Sequence, residues 1–154
     1  AATARDVDDI HALLLELAIA TNMRERMSSS PADLLRSGFG DRPEFEALLA
    51  VHNGKGVGLA VFFYEYSTWR GKTGAYLQDM VVLPEYRGTG LAQRLMRAAS
   101  RTVREQGASY LRLSVDADNH GAIAFYRSIG MQMWKDERIF VAEGAAFDKL
   151  SGES

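Results

Sequence analysis

The residues best suited to chemistry lie in one run, Leu77-Gln78-Asp79-Met80-Val81-Val82-Leu83-Pro84-Glu85-Tyr86-Arg87-Gly88-Thr89-Gly90-Leu91-Ala92. An apolar strand passes there through a glycine-rich turn into a helix. Glycines let the backbone come close to a ligand, and the unpaired amides at a helix start carry partial positive charge that attracts anions. Pyrophosphate is the natural guest of such a cradle. A Walker loop would end in Gly-Lys-Ser or Gly-Lys-Thr, and a dinucleotide fingerprint would add a third glycine or alanine and a later acidic residue. Neither pattern is here, which makes an ATP-binding module a poor reading. The same few residues, standing alone, also fit a glycine-rich turn that only caps a core helix.

Arg87-x-x-Gly90-x-Ala92 resembles the coenzyme A signature of the GNAT acetyltransferase superfamily, in which Arg or Gln is followed at this spacing by Gly and then Gly or Ala. Downstream, Asp118-Asn119-His120-Gly121-Ala122-Ile123-Ala124-Phe125-Tyr126-Arg127-Ser128-Ile129-Gly130-Met131 resembles the next element of that superfamily. There an Asn opens a short helix beside the pantetheine arm, Ala-x-x-Phe-Tyr lies along it, and a Gly-aliphatic pair follows. Three further stretches are similar to the diamine branch, which includes spermidine/spermine and thialysine acetyltransferases: Asp33 to Gly40, Phe63 to Lys72, and Tyr76-Leu77-Gln78-Asp79. The Asp-Leu-Leu and Trp-x-Gly-Lys portions are not coenzyme machinery, so they speak for the branch rather than for the cradle.

The resemblance implies an acetyl-CoA-dependent N-acetyltransferase that moves acetyl directly to the primary amine of a small molecule. Met80, Val81 and Val82 would meet the pantetheine and acetyl group through backbone atoms. Arg87, Gly88, Thr89, Gly90, Leu91, Ala92 and Gln93 would hold the pyrophosphate, with Asn119 and Ala122 beside the pantetheine arm. In the superfamily the Gln78 to Val82 strand splays from the Tyr110 strand, and amides around Val81 would then polarise the thioester carbonyl. Tyr126 is the candidate general acid. A tyrosine of ordinary pKa, about 10, stays protonated at neutral pH, and a nascent thiolate is basic enough to take its proton.

The base and the acceptor site depart from the diamine pattern. Those enzymes carry Glu where this chain has Gln78, and Gln cannot take a proton. Asp79 is adjacent, but strand alternation points it to the other face, where it equally fits a structural carboxylate. At the end of the first helix polyamine enzymes place Tyr-Glu, and this chain has Ala20-Thr21. Each carboxylate missing from around a polycation costs its binding roughly 1.5 to 3 kcal/mol. The favoured acceptor is therefore a less cationic amine, or an amino acid such as a lysine analogue. Thr21, Gln78 and Trp69 are the substrate-site candidates, Trp69 with Tyr64 and Tyr66 as an aromatic wall. Glu25, Glu65 and Asp136 are candidates for replacement acidity and equally fit a solvated surface.

Composition bounds these readings. At 154 residues the chain reads as one domain, 1–154, with 47% hydrophobic and 25% charged residues, ordinary for a soluble globular protein. The formal net charge of −2 gives no electrostatic case for nucleic acid. Arg94, Arg97, Arg101 and Arg104 read as a solvated helix face. Absence of cysteine removes disulfides, thiolate metal sites and an acetyl-cysteine intermediate. His11, His52 and His120 have no metal-ligand spacing, so no metal is expected. No spanning or secretory segment is evident, which points to the cytoplasm. A homodimer is expected from the diamine branch. Two other readings stand beside this one: a protein or peptide N-acetyltransferase, and a non-catalytic coenzyme A binding or sensing module.

The elements that must position these groups follow from periodicity. Helices are predicted from Asp6 to Ala20, from Ser30-Pro31 to Gly38, beyond Gly90 to Gly107, and from Asn119. Strands are predicted at Phe45 to Val51, Val57 to Tyr66, Tyr76 to Leu83 and Tyr110 to Val115. A last hairpin is predicted from Met131 to Trp134 and Arg138 to Val141, and a helix-like or coil stretch at Phe147 to Leu150. The fold class is α/β, a GNAT-like mixed, mostly antiparallel twisted sheet flanked by helices. Related proteins begin with a short strand, and this chain reads as starting after it.

Overall fold

The computed structural model describes residues 1–152. They fall into two compact units, Ala1–Asp116 and the segment from Ala117 onward. The first unit runs α1 (Val7–Ala20), α2 (Pro31–Phe39), β1 (Glu46–His52), β2 (Lys55–Ser67), β3 (Lys72–Val82), α3 (Leu91–Glu105) and β4 (Leu111–Arg112). The second holds α4 (His120–Ser128) and α5 (Ala145–Ser151). The sheet order is β1-β2-β3-β4, antiparallel through β3, with β4 parallel to β3. It is the mixed, mostly antiparallel α/β sheet expected from the sequence.

The sheet is covered on both faces. Val7, Ile10 and Leu13 recur at helical spacing on α1 and, with Leu34, bury against Leu59, Val61 and Val81. On the other face Leu91 and Leu95 of α3 pack on Val57 and Val82. The same helix buries Ala99 and Val103 while Arg94, Arg97, Arg101 and Arg104 stay exposed, as a solvated basic face should. Asn53 and Gly54, both at positive φ, make the two-residue turn between β1 and β2. The Gly56 N–H donates to the Asp9 carboxylate at 2.9 Å and ties that hairpin to α1.

Local chemistry explains where boundaries moved. Asp6 does not cap α1. Its carboxylate accepts from the Thr3 N–H and hydroxyl at 2.7 and 2.9 Å, closing the preceding turn at Ala4–Asp6 instead. Ser30 does cap α2: its hydroxyl accepts from the Asp33 N–H while Asp33 accepts in return, and Arg36 joins at 2.7 Å. These bonds hold the Asp33 carboxyl down at about 2, with Ser30 the larger cause. Gly38 does not end α2 but sits in its last turn, where a Cβ would run into the Phe45 ring.

Two strand predictions need correction. The fourth strand is two residues long rather than six, because its ladder covers only Ala75 with Leu111 and Tyr76 with Arg112. In the second unit, residues 131–134 and 138–141 form no ladder. Arg138 turns its guanidinium onto the carbonyls of Lys135 and Glu137 at 3.0 Å, and Trp134, Ile139 and Phe140 are exposed. A two-stranded hairpin without a third partner is marginal.

Candidate active site

β2 and β3 pair without interruption until Val61 meets Asp79 and Phe62 meets Leu77. Gln78 is the extra residue. It forms a bulge and is exposed. A bulge turns a side chain out of the regular alternation and bends its strand. The ladder between β3 and β4 ends one residue pair earlier, at Tyr76 and Arg112, so Leu77–Val82 lie beyond the point where the two strands part. Backbone groups of β3 on that side are left without strand partners from β4. This is the splay expected at Gln78 to Val82, and it places Met80, Val81 and Val82 along the open side.

Beyond β3 the chain makes a single helical turn at Pro84–Tyr86 and enters the cradle. Gly88 and Gly90 adopt φ of 75° and 79°, and a Cβ at either would point into open space. That left-handed geometry suits glycine and clears the approach to the helix start. No side chain caps α3 at Gly90, and its first turn carries no acidic residue. The amides of Leu91, Ala92 and Gln93 therefore face outward with the positive end of the helix dipole. Thr89 is turned away, its hydroxyl donating to the Tyr86 carbonyl at 2.5 Å. The donor set fits the diphosphate of a nucleotide-bearing coenzyme: backbone N–H groups at a helix start whose first turn carries no acidic residue, and one Arg at position 87.

Sequence reasoning passed over the brace on this loop. The Tyr86 hydroxyl meets His52 Nδ1 at 2.7 Å, with the two rings edge to face at 5.6 Å. His52 sits at the end of β1, thirty-four positions away in sequence, and no local pattern links it to the cradle.

In the second unit, the Asn119 side chain accepts from the Ala122 N–H at 3.1 Å and caps α4. Tyr126 lies one turn further on, half-buried, its ring 5.3 Å from that of Phe125. Burial pushes its hydroxyl above the ordinary tyrosine value. It stays protonated across the physiological range.

The chain matches the Acetyltransferase (GNAT) family over residues 8–131. This protein belongs to the GNAT acetyltransferase family. It is similar to the thialysine N-epsilon-acetyltransferase of Bos taurus, 31% identical over 96% of this chain and 93% of that protein. It is also similar to the spermidine/spermine N(1)-acetyltransferase-like protein 1 of Homo sapiens, 34% identical over 84% of this chain but 19% of that protein. Among solved structures, an integron cassette protein of V. cholerae superposes with a TM-score of 0.81 at 21% identity, covering 97% of this chain and 94% of the other. An aminoglycoside acetyltransferase from an uncultured soil sample gives 0.76 at 18% identity, covering 91% of each chain. These structures share the fold. The chain is an amine N-acetyltransferase.

Three substrate-site candidates of this GNAT protein fare differently. Gln78 stands at the splay. Thr21 ends α1 with its hydroxyl donating back to the Leu17 carbonyl at 2.8 Å. Trp69 is 100% exposed in the β2–β3 turn. Gln78 is six positions along β3 from Lys72, so that turn is ~20 Å along the strand from the bulge. Glu65 does not offer free acidity. Arg112 holds it through two bonds of 2.6 and 2.7 Å and, as the main cause, keeps its carboxyl below the usual range.

Asp79 shares a face with Val61 and Val81, on the α1 side. Burial raises its pKa. Below the unfolded value both states are protonated and no penalty exists; as pH rises through the raised folded value, the folded state is left with a poorly solvated charge and loses stability. Asp79→Asn is therefore expected to raise Tm at neutral pH and to leave it unchanged at pH below the ordinary carboxylate range. Thermal melts at both pH values check this, and a lower Tm at neutral pH would show that the carboxylate is a satisfied structural group.

Proposed function

We propose that this GNAT protein transfers acetyl from acetyl-CoA to the primary amine of a small molecule, a lysine-like amino acid or a lightly charged diamine, by direct transfer within a ternary complex. The observation that carries the reading is the bulge at Gln78 where β3 leaves β4, followed on the same chain by the uncapped helix start at Gly90. Acetyl-CoA supplies the activated thioester. The protein's own part is to bind and orient: cradle amides and Arg87 hold the diphosphate, with Asn119 and Ala122 of α4 assigned to the pantetheine arm. Backbone N–H groups near Val81 donate to the carbonyl oxygen where negative charge develops. The Tyr126 hydroxyl donates its proton to the departing sulfur.

Gln78 cannot act as a base, and it makes a neutral, hydrogen-bonding wall for the amine. With Thr21 bonded to its own helix, neither position supplies the carboxylate that a polycation would need. Both points favour an acceptor less cationic than spermine. The names of the thialysine enzymes, which resemble this chain along most of its length, support an amino-acid acceptor. A homodimer and a cytoplasmic location remain part of the proposal, the former supported by the apolar exposure of Trp134, Ile139 and Phe140.

The test is acetyl-CoA-dependent thiol release with spermidine, putrescine, lysine, thialysine, small aminoalkyl compounds and a lysine peptide. The expected result is turnover of lysine or thialysine above spermidine. Preference for the peptide would replace this reading with a protein acetyltransferase. Coenzyme binding without turnover on any acceptor would replace it with a sensing module.

A further inference from the structure

We propose that Arg112, oriented by Glu65 and Tyr76, is the specificity-determining residue that receives the carboxylate of an amino-acid acceptor. The inference rests on the acceptor reading above and names the group that would enforce it.

Arg112 and Tyr76 are the last paired residues before β3 and β4 separate. The Arg112 guanidinium lies 4.8 Å over the Tyr76 ring, and Tyr76 in turn stacks on Phe63 at 5.3 Å. Glu65 grips Arg112 through Nε and Nη2. Two of the five N–H groups are thereby used, and the fork is fixed in one orientation over an aromatic floor. The side chain nevertheless remains 49% exposed, whereas Glu65 is 20% exposed.

Charge and geometry agree on the ligand. Arg70 lies 4.9 Å over the neighbouring Tyr110 ring and acts electrostatically on Glu65 as well. Phe63, Tyr76, Glu65 and Arg112 stand on the same face as Asp79 and Val61, the α1 face. Tyr76 pairs with Phe63 and Met80 with Ala60, so across the Gln78 bulge the span is three steps of β2, ~10 Å. With its carboxylate on the guanidinium, an extended lysine or thialysine would run along that span and bring its terminal amine towards the unpaired backbone of β3. Its methylenes would run over Phe63 and Tyr76. Bidentate recognition of a carboxylate by a pre-oriented guanidinium is a strong charge-assisted interaction.

The experiment compares lysine with 1,5-diaminopentane, which has the same chain and amine but no carboxylate. Both are assayed by thiol release with wild type, Arg112→Gln, and the double variant Arg112→Gln/Glu65→Gln, which leaves no unpaired buried charge. Thermal melts are recorded alongside. Wild type is expected to favour lysine in kcat/KM, and the preference should fall about 10- to 100-fold in the folded variant. The loss should lie in KM for lysine, with diaminopentane turnover unchanged or improved. A preference for lysine that survives in a folded variant overturns the role of Arg112 while leaving the acceptor class intact. Wild-type turnover of neither amine overturns both the role and the reading on which it rests.

Discussion

Tyr126→Phe is expected to lower kcat about 10²- to 10⁴-fold, the usual contribution of a positioned acid. The substitution removes one oxygen and keeps the ring beside Phe125, so α4 should form as before and Tm should hold. Binding of acetyl-CoA should also be little changed, since the hydroxyl is assigned to the departing sulfur and not to ground-state affinity. Burial raises the Tyr126 pKa, so the wild-type rate should persist to a pH above the ordinary tyrosine value of about 10 before losing its acid. That alkaline limb should vanish in the variant. Steady-state rates across pH, with single-turnover measurements to isolate the chemical step, check both points. A variant within twofold of wild type on a good amine would remove Tyr126 from the mechanism.

The second large effect concerns stability. Phe62 is 0% exposed, makes an edge contact with Tyr64 at 6.3 Å, and stands opposite Leu77 where the register slips past Gln78. Phe62→Ala removes the largest fully buried side chain and is expected to cost about 3–5 kcal/mol, the forfeited transfer energy plus the cavity left behind. Against a net stability of about 5–15 kcal/mol for a domain, that is a large share. Urea denaturation measures it as a fall in midpoint, and a loss below about 1 kcal/mol would mean that the surrounding core collapses to fill the site. Because Phe62 pins the strand across from the bulge, the surviving folded fraction should also be less active per molecule than wild type.

Much of the architecture was legible from local pattern. Leu91, Leu95, Ala99 and Val103 define one buried face of α3, and the Asn53-Gly54 pair makes its hairpin, because periodicity and turn chemistry act over a few residues. The cradle was legible for the same reason: glycines at positive φ and a helix start are properties of consecutive residues. Length of a strand is not. Leu111, Leu113 and Val115 alternate correctly, yet only Leu111 and Arg112 find a partner, since a ladder depends on how far the neighbouring strand stays alongside. The hairpin predicted at Met131 to Trp134 and Arg138 to Val141 met the same limit.

What the sequence determined by itself was the family, the order of elements as far as α4, and the glycine turn that leads into α3, all written in contiguous motifs. Tertiary structure decided which side chains meet across the sheet. Gln78 became a bulge through its register with Val61 and Phe62 on β2, and Glu65, read as spare acidity, was claimed by Arg112 from forty-seven positions away. His52 came to Tyr86 across thirty-four. Such pairings arise when strands are laid side by side, where energy depends on distance in space and no spacing in the chain records it.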